Sequence, residues 1–242
     1  MLLAWFEDIR SAFVLNFIEG DRYLLIISGL KQTLIITLFA GILGLAIGFV
    51  ISVVRATYDM HISEMRGFKK HILSFFNAIF GAYLAVIRGT PMVVQLMIMY
   101  YIIFASSTNA TLIAILAFGI NSGAYVAEIF RGGIISVDKG QYEAGRSLGF
   151  SYVSTMTLII FPQAFKNCLP ALANEFIVLL KETSIAGYVA ITDLTRAGDI
   201  IRGRTFSAFM PLIAVALIYF VLVMILSYFV KKLERRLHRR GH

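Results

Sequence analysis

Residues 24–54 read LLIISGLKQTLIITLFAGILGLAIGFVISVV, an apolar run that contains one basic residue, Lys31, and no acidic one. About 20 apolar residues in helical form cross a hydrocarbon core about 30 Å thick. Inside that core the backbone has to satisfy its own polar groups, which favours helix. The pattern recurs along the chain, and Leu212–Val230 carries no charge at all. Of 242 residues, 59% are hydrophobic and 15% charged, whereas a soluble domain has roughly a quarter charged residues. The composition excludes a soluble enzyme and indicates an all-α, polytopic membrane protein.

Five membrane spans are expected, at Tyr23–Val54, Ile72–Phe104, Thr111–Phe130, Phe161–Leu180 and Ala208–Val230. The second is long and broken by Arg88-Gly89-Thr90-Pro91. It reads as one pass with a kinked or interfacial beginning, because four residues including an Arg do not readily cross a headgroup region and return. Proline breaks the helical ladder and biases its predecessor away from helix. Basic residues gather after span one (Arg55, Arg66, Lys69, Lys70), after span three (Arg131, Lys139, Arg146) and in the tail Lys231–Arg240. All three groups fall on one side, which the excess of Lys and Arg makes cytoplasmic. The N-terminus is then external. Residues 1–22 mix Glu7, Asp8, Glu19 and Asp21 with Arg10 and Arg22 and lack a signal-peptide pattern. With Trp5, Phe6, Phe13 and Phe17 they suggest an interfacial helix. The net charge of +8 is accounted for by this clustering and does not call for nucleic acid. A single cysteine, Cys168, rules out an intrachain disulfide.

On the cytoplasmic side lies GQYEAGRSLGFSYVSTMTLIIFP, residues 140–162. It is a polar, glycine-bearing stretch between two apolar spans. Its small residues Ala144, Gly145 and Gly149 leave one face narrow, so that another subunit can approach closely. Glu143 and Arg146 add a charged rim that sets register, and Pro162 is expected to end the element and redirect the chain into span four. The alternative is an ordinary solvated turn.

The spacing of Glu143-Ala144-Gly145, Gly149, Ile159 and Phe161-Pro162 closely resembles the cytoplasmic signature of permease subunits in ATP-binding-cassette importers. The stretch Gly140–Pro162, the run Arg88-Gly89-Thr90-Pro91 with Gln95 and Tyr100-Tyr101, and Asn174-Glu175-Phe176 leading to Lys181-Glu182-Thr183-Ser184 look like the polar-amino-acid branch of that family. Two departures are mild. Gly145 stands for the usual alanine, which loosens a helix by about 1 kcal/mol, and Phe161 stands for the usual leucine.

The resemblance implies a type I importer permease, with one transmembrane domain over residues 1–242. Within it lie an external segment 1–22, a cytoplasmic coupling region 132–160 and a basic cytoplasmic tail 231–242. It further implies a short coupling helix gripped by a separate ATPase that holds ATP and Mg, a second permease (identical or not), and an extracytoplasmic solute-binding protein. The expected place is the inner or plasma membrane of a prokaryote.

The polar groups inside the spans each carry two readings. Asn121, Tyr125 and Glu128 share a helical face, and an intramembrane carboxylate marks a pathway by default. Glu128 can instead pair with Arg131 three residues on. Asn174, Glu175, Glu182, Thr183 and Ser184 can meet the ammonium and carboxylate of an amino acid, or can form an anchor beside a snorkelling Lys181. Gln95 lines the pore or serves backbone groups freed by Pro91. Asp193–Gly198 with Arg202 and Arg204 is a docking surface for the solute-binding protein or a solvated loop. Glu128, Glu175 and Glu182 tilt the solute towards a cationic amino acid.

No P-loop, HExxH, paired-cysteine or nucleophile-elbow pattern occurs, so neither ATP hydrolysis nor a metal site is expected of this chain. The alternative function is an ion-coupled secondary transporter of small polar solutes, although no convincing internal repeat supports it. A membrane scaffold or sensor partner is a further class, and a membrane enzyme lacks a catalytic constellation.

Overall fold

A computed structural model of the protein describes residues 2–63 and 65–238, and every regular element among them is helical. Residues 239–242 of the basic tail lie outside the described residues. An N-terminal helix α1 (Leu2–Phe13) precedes the long α2 (Tyr23–His61). Then come α3 (Phe68–Gly89), α4 (Met92–Ile98) running into a π turn at Met99–Ile103, and α5 (Ala110–Ile135). A short α6 (Lys139–Ser147) and α7 (Tyr152–Thr155) lead through a second π turn (Met156–Ile160) into α8 (Phe161–Glu182). A 3-10 segment (Thr183–Val189), α9 (Leu194–Thr205) and α10 (Phe209–His238) complete the chain.

Four of these helices are long and apolar enough to cross a membrane: Tyr23–Met60, Phe68–Gly89, Ala110–Ile135 and Phe209–Leu237. Helix α8 has a crossing's length, 22 residues, but is diluted by Lys166, Asn167, Asn174, Glu175 and Lys181.

Helices α2 and α5 form the centre. Their backbones approach closely because glycines stand where they meet. A β-carbon on Gly48 would lie 2.6 Å from Val126 Cβ, one on Gly119 would lie 2.6 Å from Leu43 Cδ2, and one on Gly123 would lie 2.9 Å from Ile47 Cγ2. Within a bilayer, helices associate through such small-residue contacts, since burial against lipid supplies no hydrophobic drive.

Helices α3 and α4 run antiparallel to α5 along its length. Phe80 and Leu84 pack near Ala124 and Ala127, the Tyr83 hydroxyl donates to the Ile120 carbonyl, and Leu96 and Met99 reach Ala114, Ala117 and Phe118. Partners on α5 thus move steadily towards its N-terminus as the chain passes the Pro91 break.

The structure corrects one local expectation. Pro162 does not end an element: helical conformation runs from Tyr152 to Glu182 without interruption, and Pro162 is the second residue of α8. The π turn at Met156–Ile160 loosens the ladder directly before the residue that has no N–H to donate.

Candidate functional site

Helix α6 stands out from the bundle on the side of the α2 and α5 C-termini. Asp138 starts it, its carboxylate accepting from the Gly140 N–H at 2.7 Å. Gly149 stops it with a left-handed backbone, φ +84°. The Phe150 N–H donates to the Gly145 carbonyl (3.2 Å) and the Gly149 N–H to that of Arg146 (3.0 Å), the paired bonds of a Schellman stop.

Of Glu143, Ala144, Gly145, Arg146 and Gly149, Gly145 alone is turned inward. It is buried, and a β-carbon there would lie 2.8 Å from Thr155 Cγ2 and 2.9 Å from Ile159 Cδ1. The expectation that Gly145 helps keep the partner-facing side small is therefore corrected: it seats α6 on the π turn that leads into α8.

Glu143, Ala144, Arg146 and Gly149 are exposed. Leu148 joins them at 78% exposure, an apolar side chain left open beside charged ones. The Arg146 guanidinium turns back to the Phe150 carbonyl. Glu143 borders a 480 Å³ crevice that Asp59, Met60, Ile134 and Tyr142 also line. The element is short, capped at both ends and seated on the lead-in to a long helix.

The polar residues of the spans separate into groups. At the Pro91 break, Gln95 Nε2 donates to the Ile87 carbonyl (2.7 Å), the Thr90 carbonyl (3.1 Å) and Thr90 Oγ1 (2.7 Å). Its Oε1 accepts from Asn121 Nδ2 at 3.0 Å, and Asn121 is 3% exposed. Arg88 lies over the Tyr125 ring, 5.5 Å from its centroid. Glu128 is held by Arg131 at 3.1 Å, and the same guanidinium binds Asp59 of α2 at 3.0 Å.

The α8 set does not converge. Asn174 faces a groove against α10 with Ser227 and Lys231. Thr183 is buried and donates to the Leu180 carbonyl at 2.7 Å. Glu182, half-buried, lies at the α8 C-terminus, and Ser184 lines a pocket with Asp193 and Arg196. In α9, Arg202 and Arg196 hold the Asp199 carboxyl below the usual carboxylate range, and Asp193 caps the helix through the Thr195 and Arg196 N–H groups.

Three relationships escape the sequence reading. Asp59 is the second carboxylate on Arg131. Ser122 Oγ donates to Glu175 Oε1 at 3.0 Å, linking α5 to α8. The glycine pairs Gly44/Gly48 and Gly119/Gly123 define the α2–α5 contact, and their four-residue spacing was a readable signal.

Residues 67–239 match the family described as binding-protein-dependent transport system inner membrane component. The chain is 39% identical over 215 residues to the arginine transport system permease protein ArtQ of Bacillus subtilis, covering 88% of this chain and 92% of ArtQ. It is 36% identical over 218 residues to the glutamine transport system permease protein GlnP of Escherichia coli, covering 88% and 93%. A crystal structure of an amino acid ABC transporter with histidines superposes with a TM-score of 0.75 at 42% identity, covering 91% of this chain and 98% of that one. The MetNI methionine ABC transporter in an inward-facing form shares the fold, with a TM-score of 0.75 at 18% identity. An exposed helix capped at both ends, four long apolar helices and these matches agree: the chain belongs to the family of inner membrane permease components of binding-protein-dependent ABC transport systems.

Proposed function

We propose that this chain is one half of a translocation pathway for a polar amino acid, driven by a separate ATPase that binds ATP and Mg and grips α6. The carrying observation is the exposed face of α6, Glu143, Ala144, Arg146 and Leu148, backed by a buried Gly145 seated on the lead-in to α8. Movement of α6 is passed to α8 through Thr155 and Ile159, and so to the α5–α8 contact at Ser122 and Glu175. Two permeases, identical or not, enclose the route, and an extracytoplasmic solute-binding protein delivers the solute at the α9 side.

Five crossings carry this arrangement, with α3 and α4 together making the second. The steady antiparallel course of α3 and α4 along α5 supports a single kinked pass. An external N-terminus and a cytoplasmic basic tail follow from five crossings and the Lys and Arg distribution. Relatives named for arginine and glutamine transport support an amino acid as solute. Gln95, Asn121, Tyr125 and Glu128 on one side, and Asn174, Glu182, Thr183 and Ser184 on the other, are the pathway candidates. Arg131 already engages Glu128, which leaves Glu175 and Glu182 as the acidic groups for a cationic solute.

Uptake of labelled arginine, glutamine, histidine and cystine into proteoliposomes holding the permease, its ATPase and its binding protein tests the reading. It requires uptake with enclosed ATP and none with a proton or sodium gradient alone. Gradient-driven uptake without ATP would instead establish an ion-coupled transporter.

A further inference from the structure

The four residues Arg88-Gly89-Thr90-Pro91 divide into two kinds. Pro91 makes the break, and Thr90 and Gln95 repair it: Thr90 Oγ1 donates to the Val86 carbonyl, and Gln95 Nε2 to the Ile87 and Thr90 carbonyls. Arg88 contributes nothing to that repair. Its side chain leaves the break and lies over the ring of Tyr125, which sits just past the middle of α5.

Among the described residues no carboxylate pairs with Arg88, while the neighbouring charge on the same face of α5, Glu128, is neutralised by Arg131. Arg88 is exposed. An uncompensated guanidinium at the break between α3 and α4, beside the apolar helix α5, is costly unless it faces a water-filled route or meets an anion. The contact with the Tyr125 ring holds the guanidinium on that side of the break, 5.5 Å from the ring centroid, and among the described residues no hydrogen bond occupies its N–H donors. A planar fork with free edge donors matches a carboxylate, which it binds through two parallel hydrogen bonds.

We propose that Arg88 is a receptor for the α-carboxylate of the amino acid in transit, with Tyr125 as the platform that orients it. This rests on the transport reading above and assigns the solute a required chemical group, a free carboxylate, whatever its side chain. It also gives Arg88 a role distinct from the kink. A residue serving only the helix terminus would alter stability and leave solute discrimination untouched.

The test is equilibrium binding to the permease–ATPase complex in nanodiscs without the solute-binding protein, so that the latter's selectivity does not contribute. The probes are pairs that differ by the carboxylate: L-arginine and agmatine, L-histidine and histamine. The wild-type complex should prefer the carboxylated member of its substrate pair by roughly one to two decades, the worth of a charge-assisted hydrogen bond pair. Arg88→Met should bring that preference to about unity while leaving affinity for the decarboxylated probe unchanged, which also reports an intact fold. Arg88→Lys, which keeps the charge without the fork, should retain part of the preference. A wild-type preference that persists in both Arg88→Met and Arg88→Lys overturns the assignment, as does equal loss of both members of the pair. Failure of wild-type proteoliposomes to take up any amino acid overturns the transport reading and this inference with it. Normal uptake with an unchanged preference in the variants overturns only the role of Arg88.

Discussion

Gln95 Nε2 donates to the carbonyl of Ile87 at 2.7 Å, the very carbonyl that Pro91, four residues on, leaves without its helical N–H. The side chain replaces the missing backbone donor and then ties the repaired break to α5 through Asn121. Of the two readings of Gln95, these bonds carry the one in which it serves the freed backbone, and it does so at the α4–α5 contact.

Gln95→Leu should therefore cost about 1–3 kcal/mol by leaving the part-buried Ile87 carbonyl and the buried Asn121 amide unpaired. That corresponds to a fall of several degrees in the melting temperature of the purified complex. Pro91→Ala restores an N–H opposite Ile87. In that background the same Gln95→Leu change should cost less by more than about 0.5 kcal/mol, the margin within which independent sites add. Strict additivity would show that the repair is not what Gln95 does.

Gly149 carries a positive φ and open space around the position of a β-carbon. Gly149→Ala should cost about 1–2 kcal/mol through the left-handed backbone alone, and Gly149→Asn should cost less, since asparagine tolerates that region. Equal melting temperatures for Gly149, Ala and Asn proteins would remove the helix-stop role.

Gly145 faces its own chain. Gly145→Val should push α6 off Thr155 and Ile159 and slow ATP-driven uptake, and Ile159→Ala in the same chain should recover part of it by making room. Uptake by Gly145→Val equal to wild type would mean that this contact does not carry the movement.

Glu128 and Asp59 share Arg131 across α5 and α2. Because these groups are part-exposed, each pair contributes about 1 kcal/mol or less. Glu128→Gln should lower thermal stability slightly and change the ratio of arginine to glutamine uptake by less than about twofold. A selective loss of arginine uptake would make Glu128 a cation-binding group of the pathway and not only a partner of Arg131.

Much of this was legible in the chain because the bilayer makes strict demands. Long uncharged runs such as 24–54 and 212–230 have few alternatives to helix, and the Glu143–Pro162 spacing places a polar element on the basic side. What escaped depended on pairing across the bundle. Nothing local to Asp59 says that it meets Arg131, and nothing local to Ser122 says that it meets Glu175. Gly145 read as a weakened helix position because propensity is local, whereas its value here is the close approach of Thr155 and Ile159. Pro162 misled for a related reason: a proline breaks a regular ladder, and a π turn just ahead of it removes the conflict.

Topology has a direct consequence. Single cysteines at Ser11 and Arg236 in a Cys168→Ser background should react with impermeant reagents from opposite sides of the membrane. Reaction from the same side would mean an even number of crossings, either because α3 and α4 are separate passes or because α8 does not cross.

The central claim is that α6 is the handle by which another subunit's ATP hydrolysis moves this chain. The most direct measurement is ATP-driven amino acid uptake, with ATPase co-purification, for Glu143→Lys, a change on the exposed face of α6 that touches no buried contact. The account predicts loss of uptake and weakened retention of the ATPase at an unchanged melting temperature of the permease. Wild-type uptake and full ATPase retention in Glu143→Lys would contradict it.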